Sequence, residues 1–258
     1  MNDLLFKRNT ATVEVADEVS TRGASTCRRR EQEDTPTVRS RVDSLTAKWE
    51  RGKNNTLHFY RKKLPWKSRE FNRKLYLPDY FRTMIGDNKE VAIAEIGAGM
   101  FCTIGSLWKS AKVTVYPSDA LAVEFNQILK DNNVTPLIPI EKQDMENLTY
   151  SDNFFDIVHC CNALDHCTNP LKALKEMYRV CKPGGYIYLR HFVNVGENEK
   201  YAGLHMWNLN IEGKNNCLLW NQSERFLLSD HFNRFNTVLK KELDYETDDM
   251  VVSILHKA

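Results

Sequence analysis

No window of the 258-residue chain holds the roughly 18 uncharged apolar residues that a helical membrane span needs. The opening MNDLLFKRNTATVEVADE lacks the apolar core of a signal peptide, so a cytoplasmic protein without a membrane span is expected. The seven cysteines are odd in number and without repeated Cys-x-x-Cys spacing, which fits reduced thiols better than a disulfide framework or a zinc site. Vicinal Cys160 and Cys161 read as part of a buried strand. Net charge is also small, +2, but it is unevenly spread. Residues 51–82 carry ten Lys or Arg against Glu70 and Asp79, about +8, which leaves the remainder near −6.

Large apolar residues are scarce in residues 1–45, which mix charges with Thr and Ser and read as a disordered tail. Residues 46–87 read as an N-terminal basic-aromatic helical segment, in which Phe59, Tyr60, Trp66, Phe71, Tyr76, Tyr80 and Phe81 interleave with cations. Its aromatic side should pack inward, and its basic side is either a solvated face or a surface for a phosphate-bearing ligand. Residues 88–258 are long enough to bury one good core.

What is present from Val91 onward is an alternation of strand and helix. Val91 to Ile96 form a short apolar run that ends in Glu95-Ile96 and breaks at Gly97-Ala98-Gly99, with a helix expected to open within residues 103–110. Further strands are expected at 112–116, 137–140, 155–161 and 186–192, with helices at 120–132 and 170–181 between them. Residues 236–243 and 250–256 read as a closing antiparallel hairpin. The class is α/β, a mostly parallel sheet with helices on both faces, whose ligand crevice lies at the carboxyl ends of the strands.

Acidic residues fall at three successive strand ends: Glu95, Asp119 and Asp144. A carboxylate after the second strand can take both hydroxyls of a ribose, which by itself does not separate a nicotinamide cofactor from other adenosine ligands. The third glycine of a dinucleotide fingerprint is replaced by Cys102, which weighs against a pyrophosphate.

Residues 94–99, Asp119, the run from Asp144-Met145 through Phe155-Asp156, and Arg179-Val180-Cys181-Lys182-Pro183-Gly184-Gly185 resemble the class I S-adenosylmethionine-dependent methyltransferases over about residues 88–192. The resemblance implies a Rossmann-like seven-stranded sheet whose last strand is antiparallel. It implies that Glu95, Gly97 and Gly99 meet the methionine part of S-adenosylmethionine, Asp119 the ribose, Asp144 and Met145 the adenine, and that Asn162 lies near the sulfonium. Many relatives carry a further glycine where this chain has Phe101. A second pattern, Asn162 to His166, His191, Asn194, Glu197 and residues 201–208, is similar to bacterial methyltransferases associated with surface-polysaccharide pathways.

Methyl transfer needs an aligned nucleophile and, for a hydroxyl acceptor, a group to take its proton. His205 is the first candidate, then His166 and His191, each with a structural hydrogen-bonding role as the competing reading; Asp165 could orient one of them. No metal is expected for cofactor binding. The expected acceptor is a small carbohydrate-like molecule, such as a nucleotide-linked or phosphorylated sugar. A nucleic-acid (RNA) methyltransferase is the alternative, although Asn162-Ala163-Leu164 stands where a base-amine methyltransferase has Asp/Asn-Pro-Pro-aromatic. A catalytically silent methyltransferase-like binding protein is the third reading.

Overall fold

The computed structural model describes residues 38–71, 75–242 and 245–258, and the expectation for residues 1–37 lies outside them. Helix α1 (Val38–Phe71) begins ahead of the boundary expected at 46. It belongs to one compact unit, Thr37–Ala258, with everything that follows. Next come a single 3-10 turn (Asp79–Phe81) and the short α2 (Arg82–Ile85), which bury Phe81, Met84 and Ile85. The remaining strands and α-helices run β1 (Glu90–Ile96), β2 (Lys112–Asp119), α3 (Ala122–Asp131), β3 (Glu141–Lys142), β4 (Phe155–Cys161), α4 (Pro170–Val180), β5 (Cys181–Phe192), α5 (Val195–Asn198), β6 (Asn208–Glu212), β7 (Asn216–Trp220), β8 (Arg225–Leu227), β9 (Phe235–Glu242) and β10 (Tyr245–His256), with further 3-10 turns at Leu164–His166 and Leu228–Asp230.

Seven strands form one sheet in the order β3-β2-β1-β4-β5-β10-β9. The pairs from β3 to β5 are parallel, and β10 is antiparallel to both β5 and β9. This is the Rossmann-like sheet expected, with the last strand of the chain inserted, reversed, beside the fifth. Burial on both faces explains the near-continuous apolar runs of β1 and β4: Val91, Ile93 and Ile157 pack with Phe81 and Ile85 on one side, while Ala94, Ile96 and Val158 pack with Leu174 and Met177 of α4 on the other. Helix α4 starts where Asn169 accepts the Lys172 N–H at 3.0 Å and Pro170 takes the first position, where no N–H is needed.

Three details differ from the sequence reading. No helix forms at residues 103–110. That stretch pairs its backbone with residues 75–77 instead, through Leu107 N–H to Leu75 O at 2.8 Å and Leu77 N–H to Leu107 O at 3.0 Å. A Cβ on Gly105 would lie 2.4 Å from the Leu75 carbonyl carbon, so this contact demands glycine. The third strand falls at Glu141–Lys142 and not at 137–140. Finally, β6, β7 and β8 make a small antiparallel sheet between the main strands, docked by Trp207, Leu209, Cys217 and Leu219 onto the core beneath α4. Cys160 is buried and Cys161 half-buried in β4, and the described cysteines are all free thiols. Among the described residues no helix is long and apolar enough to cross a membrane.

Candidate active site

A cleft of about 630 Å³ opens at the carboxyl ends of β1, β2 and β4, lined by the loops that follow these strands and roofed by α1. Its floor begins at Gly97 and Gly99, both in the left-handed region at φ +75° and +71°. The Gly97 and Ala98 N–H groups donate to Ser118 O at 2.8 and 2.9 Å, stitching the turn to the end of β2. A Cβ on Gly97 would sit 2.3 Å from the Ala163 Cβ, and one on Gly99 would sit 2.1 Å from the Tyr60 hydroxyl. Gly97 has no room for a side chain, and at Gly99 one would have to displace Tyr60 and hold a strained positive φ.

Asp119 closes β2 with its carboxylate in the cleft, where Oδ2 accepts the Gly99 N–H at 2.9 Å and Oδ1 the Leu121 N–H at 2.8 Å. Burial lifts this carboxyl above its usual range, against the pull of those two N–H groups. Each oxygen keeps a further lone pair, so a pair of adjacent hydroxyls can still be received. Asp144 is exposed at the cleft mouth, its Oδ1 held by the Glu146 N–H at 2.8 Å, with half-buried Met145 beside it. Glu146, to which the sequence reading gave no role, accepts the Thr168 and Asn169 N–H groups at 2.6 and 2.9 Å and so ties this loop to the start of α4. Asn162 lines the cleft at φ +48°, with Oδ1 accepting the Phe192 N–H at 3.0 Å.

Glu95 does not line the cleft. Its buried carboxylate accepts the Thr103 N–H at 3.1 Å and the Thr103 hydroxyl, which holds down the far end of the glycine loop. His159 Nδ1 lies 3.7 Å away, but burial lowers that imidazole to about 3, so it is neutral and the contact is not a charged pair.

The three candidate histidines separate. His166 lines the cleft, and its Nε2 lies 3.2 Å from His205 Nδ1. Both meet one buried oxygen, Asp165 Oδ2, at 3.3 Å from His166 and 2.8 Å from His205. His205 sits behind His166 and does not line the cleft. Burial lowers His166 despite the Asp165 charge; burial also raises Asp165, but His166 and His205 outweigh it and leave Asp165 below its ordinary value. His191 must be corrected. It is fully buried, its Nε2 accepts the Leu164 N–H at 3.1 Å, and burial lowers it to about 4, so it cannot reach an acceptor and instead props the turn that carries His166.

Helix α1 supplies Thr46, Trp49, Glu50, Lys53, Thr56 and Tyr60 to the cleft. Lys48 Nζ donates to His205 O at 3.1 Å, Gly52 lies against the Gly203 backbone, and the Tyr60 ring packs on Phe125 at 4.6 Å. The aromatic periodicity of residues 46–87 signalled such a packed helix, but not which of its residues face a ligand. Lys53 is paired with Glu50 at 2.5 Å, and Arg61, Lys62 and Lys63 are exposed away from the cleft lining.

Residues 94–189 match the family model described as a methyltransferase domain. Over these residues the chain is similar to S-adenosylmethionine-dependent methyltransferase domains. Curated relatives of this domain include the ubiquinone/menaquinone biosynthesis C-methyltransferase UbiE of Neisseria meningitidis serogroup C, 33% identical over 35% of this chain and 34% of the relative. The UbiE of Coxiella burnetii is 31% identical over 42% of this chain and 35% of the relative. The match thus spans about a third of the length of these relatives. Among solved structures, an S-adenosylmethionine-dependent methyltransferase of Methanosarcina mazei is similar at 16% identity and a TM-score of 0.44, over 71% of this chain and 99% of that one. The matched methyltransferase domain contains Asp119, Asp144 and His166 but ends ahead of His205 and excludes α1.

Proposed function

We propose that the protein transfers the methyl group of S-adenosylmethionine to a hydroxyl of a small, carbohydrate-like acceptor. One observation carries the reading: the glycine loop, Asp119 and His166 line the same cleft, whose volume of about 630 Å³ is that of a small-molecule site. In this reading Asp119 receives the ribose, Gly97 and Gly99 let the methionine part approach the backbone, Asp144 and Met145 flank the adenine, and Asn162 stands near the sulfonium. S-adenosylmethionine supplies an activated methyl carbon, so the chain has to bring the acceptor oxygen into line and ease the loss of its proton. Low basicity keeps His166 neutral near pH 7, with Asp165 and His205 behind it to steady the imidazole.

The relatives' names favour a second reading, transfer to carbon. A ring carbon beside a hydroxyl becomes nucleophilic when that hydroxyl ionises, and His166 would serve it in the same way. Turnover of methyl-labelled cofactor against nucleotide sugars, phosphorylated sugars, glycans, phenols and RNA tests both, with the methylated atom found by mass spectrometry. Label entering only RNA would overturn the small-acceptor reading, and so would a folded protein with no affinity for the cofactor.

A further inference from the structure

Asp165, His166 and His205 do more than touch in pairs. Asp165 Oδ2, His166 Nε2 and His205 Nδ1 form a triangle with sides of 2.8, 3.2 and 3.3 Å. Hydrogen bonding accounts poorly for all three sides at once. If each imidazole donates to Asp165 Oδ2, the two donor nitrogens are left 3.2 Å apart with no acceptor between them; if one nitrogen accepts from the other, it cannot also donate to the carboxylate. A cation satisfies all three lone pairs together. An ion bound tetrahedrally to nitrogen and oxygen at about 2.0–2.1 Å needs ligand atoms about 3.3 Å apart, close to the sides observed.

We propose that Asp165, His166 and His205 bind one divalent first-row transition ion, of the zinc or cobalt type, at the acceptor end of the cleft. Two imidazoles and one carboxylate suit such an ion better than magnesium or calcium, which prefer oxygen. Asp165 is sealed in the core and fixes the base of the triangle, while His166 faces the cleft and leaves the remaining coordination position open on that side. The acceptor oxygen would occupy that position. This role rests on the methyl-transfer reading: an ion-bound hydroxyl ionises more readily, its proton passing to water, and with the ion in place the ion eases that proton's loss in place of the His166 lone pair. Cofactor binding at Asp119 stays independent of the ion.

The test is titration of chelator-treated, dialysed protein with cobalt(II), read by visible absorption, with cofactor affinity measured in parallel by calorimetry. One equivalent should bind with the intense bands of a low-coordinate site, and zinc should displace it. His205→Ala should weaken cobalt binding more than about a hundredfold, since a direct ligand matters at least as much as its supporting shell. Its affinity for S-adenosylmethionine should be unchanged, which also certifies the fold. Asp165→Asn is the second variant, expected to keep the shape and lose the ion. Absence of stoichiometric cobalt binding in the wild type overturns the site, as does undiminished binding in His205→Ala. Cobalt binding without cofactor affinity would leave the ion site standing and remove the methyl-transfer reading.

Discussion

The two rims of the cleft are built by opposite means. The rim proposed for the cofactor is local: the Gly97 N–H donates to Ser118 O and the Gly99 N–H to the Asp119 carboxylate across adjacent parallel strands, and the Asp144 loop is fastened by Glu146 to the start of α4. The rim proposed for the acceptor is assembled from afar. Lys48 meets His205 across 157 residues of sequence, and Asp165 meets His205 across 40. Local loop geometry suffices for the first, whereas the second needs α1 and the segment carrying β6 to β8 to be in place.

The sharpest way to break this contrast is Gly97→Val. The new side chain must displace Ala163 and adopt a positive φ, so cofactor affinity should fall by about a thousandfold or more, roughly 4 kcal/mol, in a calorimetric titration. A valine variant with wild-type affinity would dissociate the glycine loop from the cofactor.

A pair of variants sharpens it. His166→Ala should lower kcat by about a hundredfold or more with cofactor Kd near wild type. Asp119→Ala should instead weaken cofactor binding by roughly 1.5–3 kcal/mol. If both variants move the same parameter, the rims are not separate.

Acid probes the scaffold beneath both rims. Burial holds His159 near 3 and His191 near 4, whereas each titrates near 6.5 in the unfolded chain. Above pH 6.5 neither state binds these protons and their contribution is constant. Below it the unfolded chain takes up two protons that the fold refuses, so stability should drop by about 1.4 kcal/mol per pH unit for each histidine down to about pH 4. Urea melts from pH 7.5 to 4.5 measure the slope, and His191→Gln should remove one proton's worth of it.

The smallest effect is expected from replacing Arg61, Lys62 and Lys63 together by Gln. They are exposed and do not line the cleft, so acceptor KM at moderate salt should change by less than about twofold. A large rise in KM for phosphorylated acceptors alone would restore the basic face of α1 to the acceptor rim.

The same contrast explains what could be read from the sequence. Strand periodicity and the acids at strand ends placed β1, β2, β4, β5 and the closing hairpin, and they put Asp119 in the cleft, because these features depend on neighbours a few residues away. Spacing could not distinguish His191 from His166. His166 follows β4 and His191 lies at the end of β5, at the same edge of the sheet, and the full burial of His191 with the Leu164 N–H donated to its ring separates a prop from a cleft group. Residues 103–110 stood where a helix was expected to open after β1, but Gly105 against the Leu75 backbone decided otherwise, a contact across 30 residues. A metal site sought through cysteine spacing could not reveal a triangle made of neighbouring Asp165 and His166 on one turn and His205 from a segment 39 residues further on.

One consequence of α1 concerns timing and not shape. The helix presses Tyr60 onto Gly99 at one rim and fixes His205 through Lys48 at the other, so both ligands share a single roof. Any change that the first ligand makes in the seat of that helix alters the affinity for the second, and the second must alter the first by the same factor. If methyl transfer is the reaction, cofactor and acceptor are coupled through one helix, and the exchange of either can wait on the lifting of that helix.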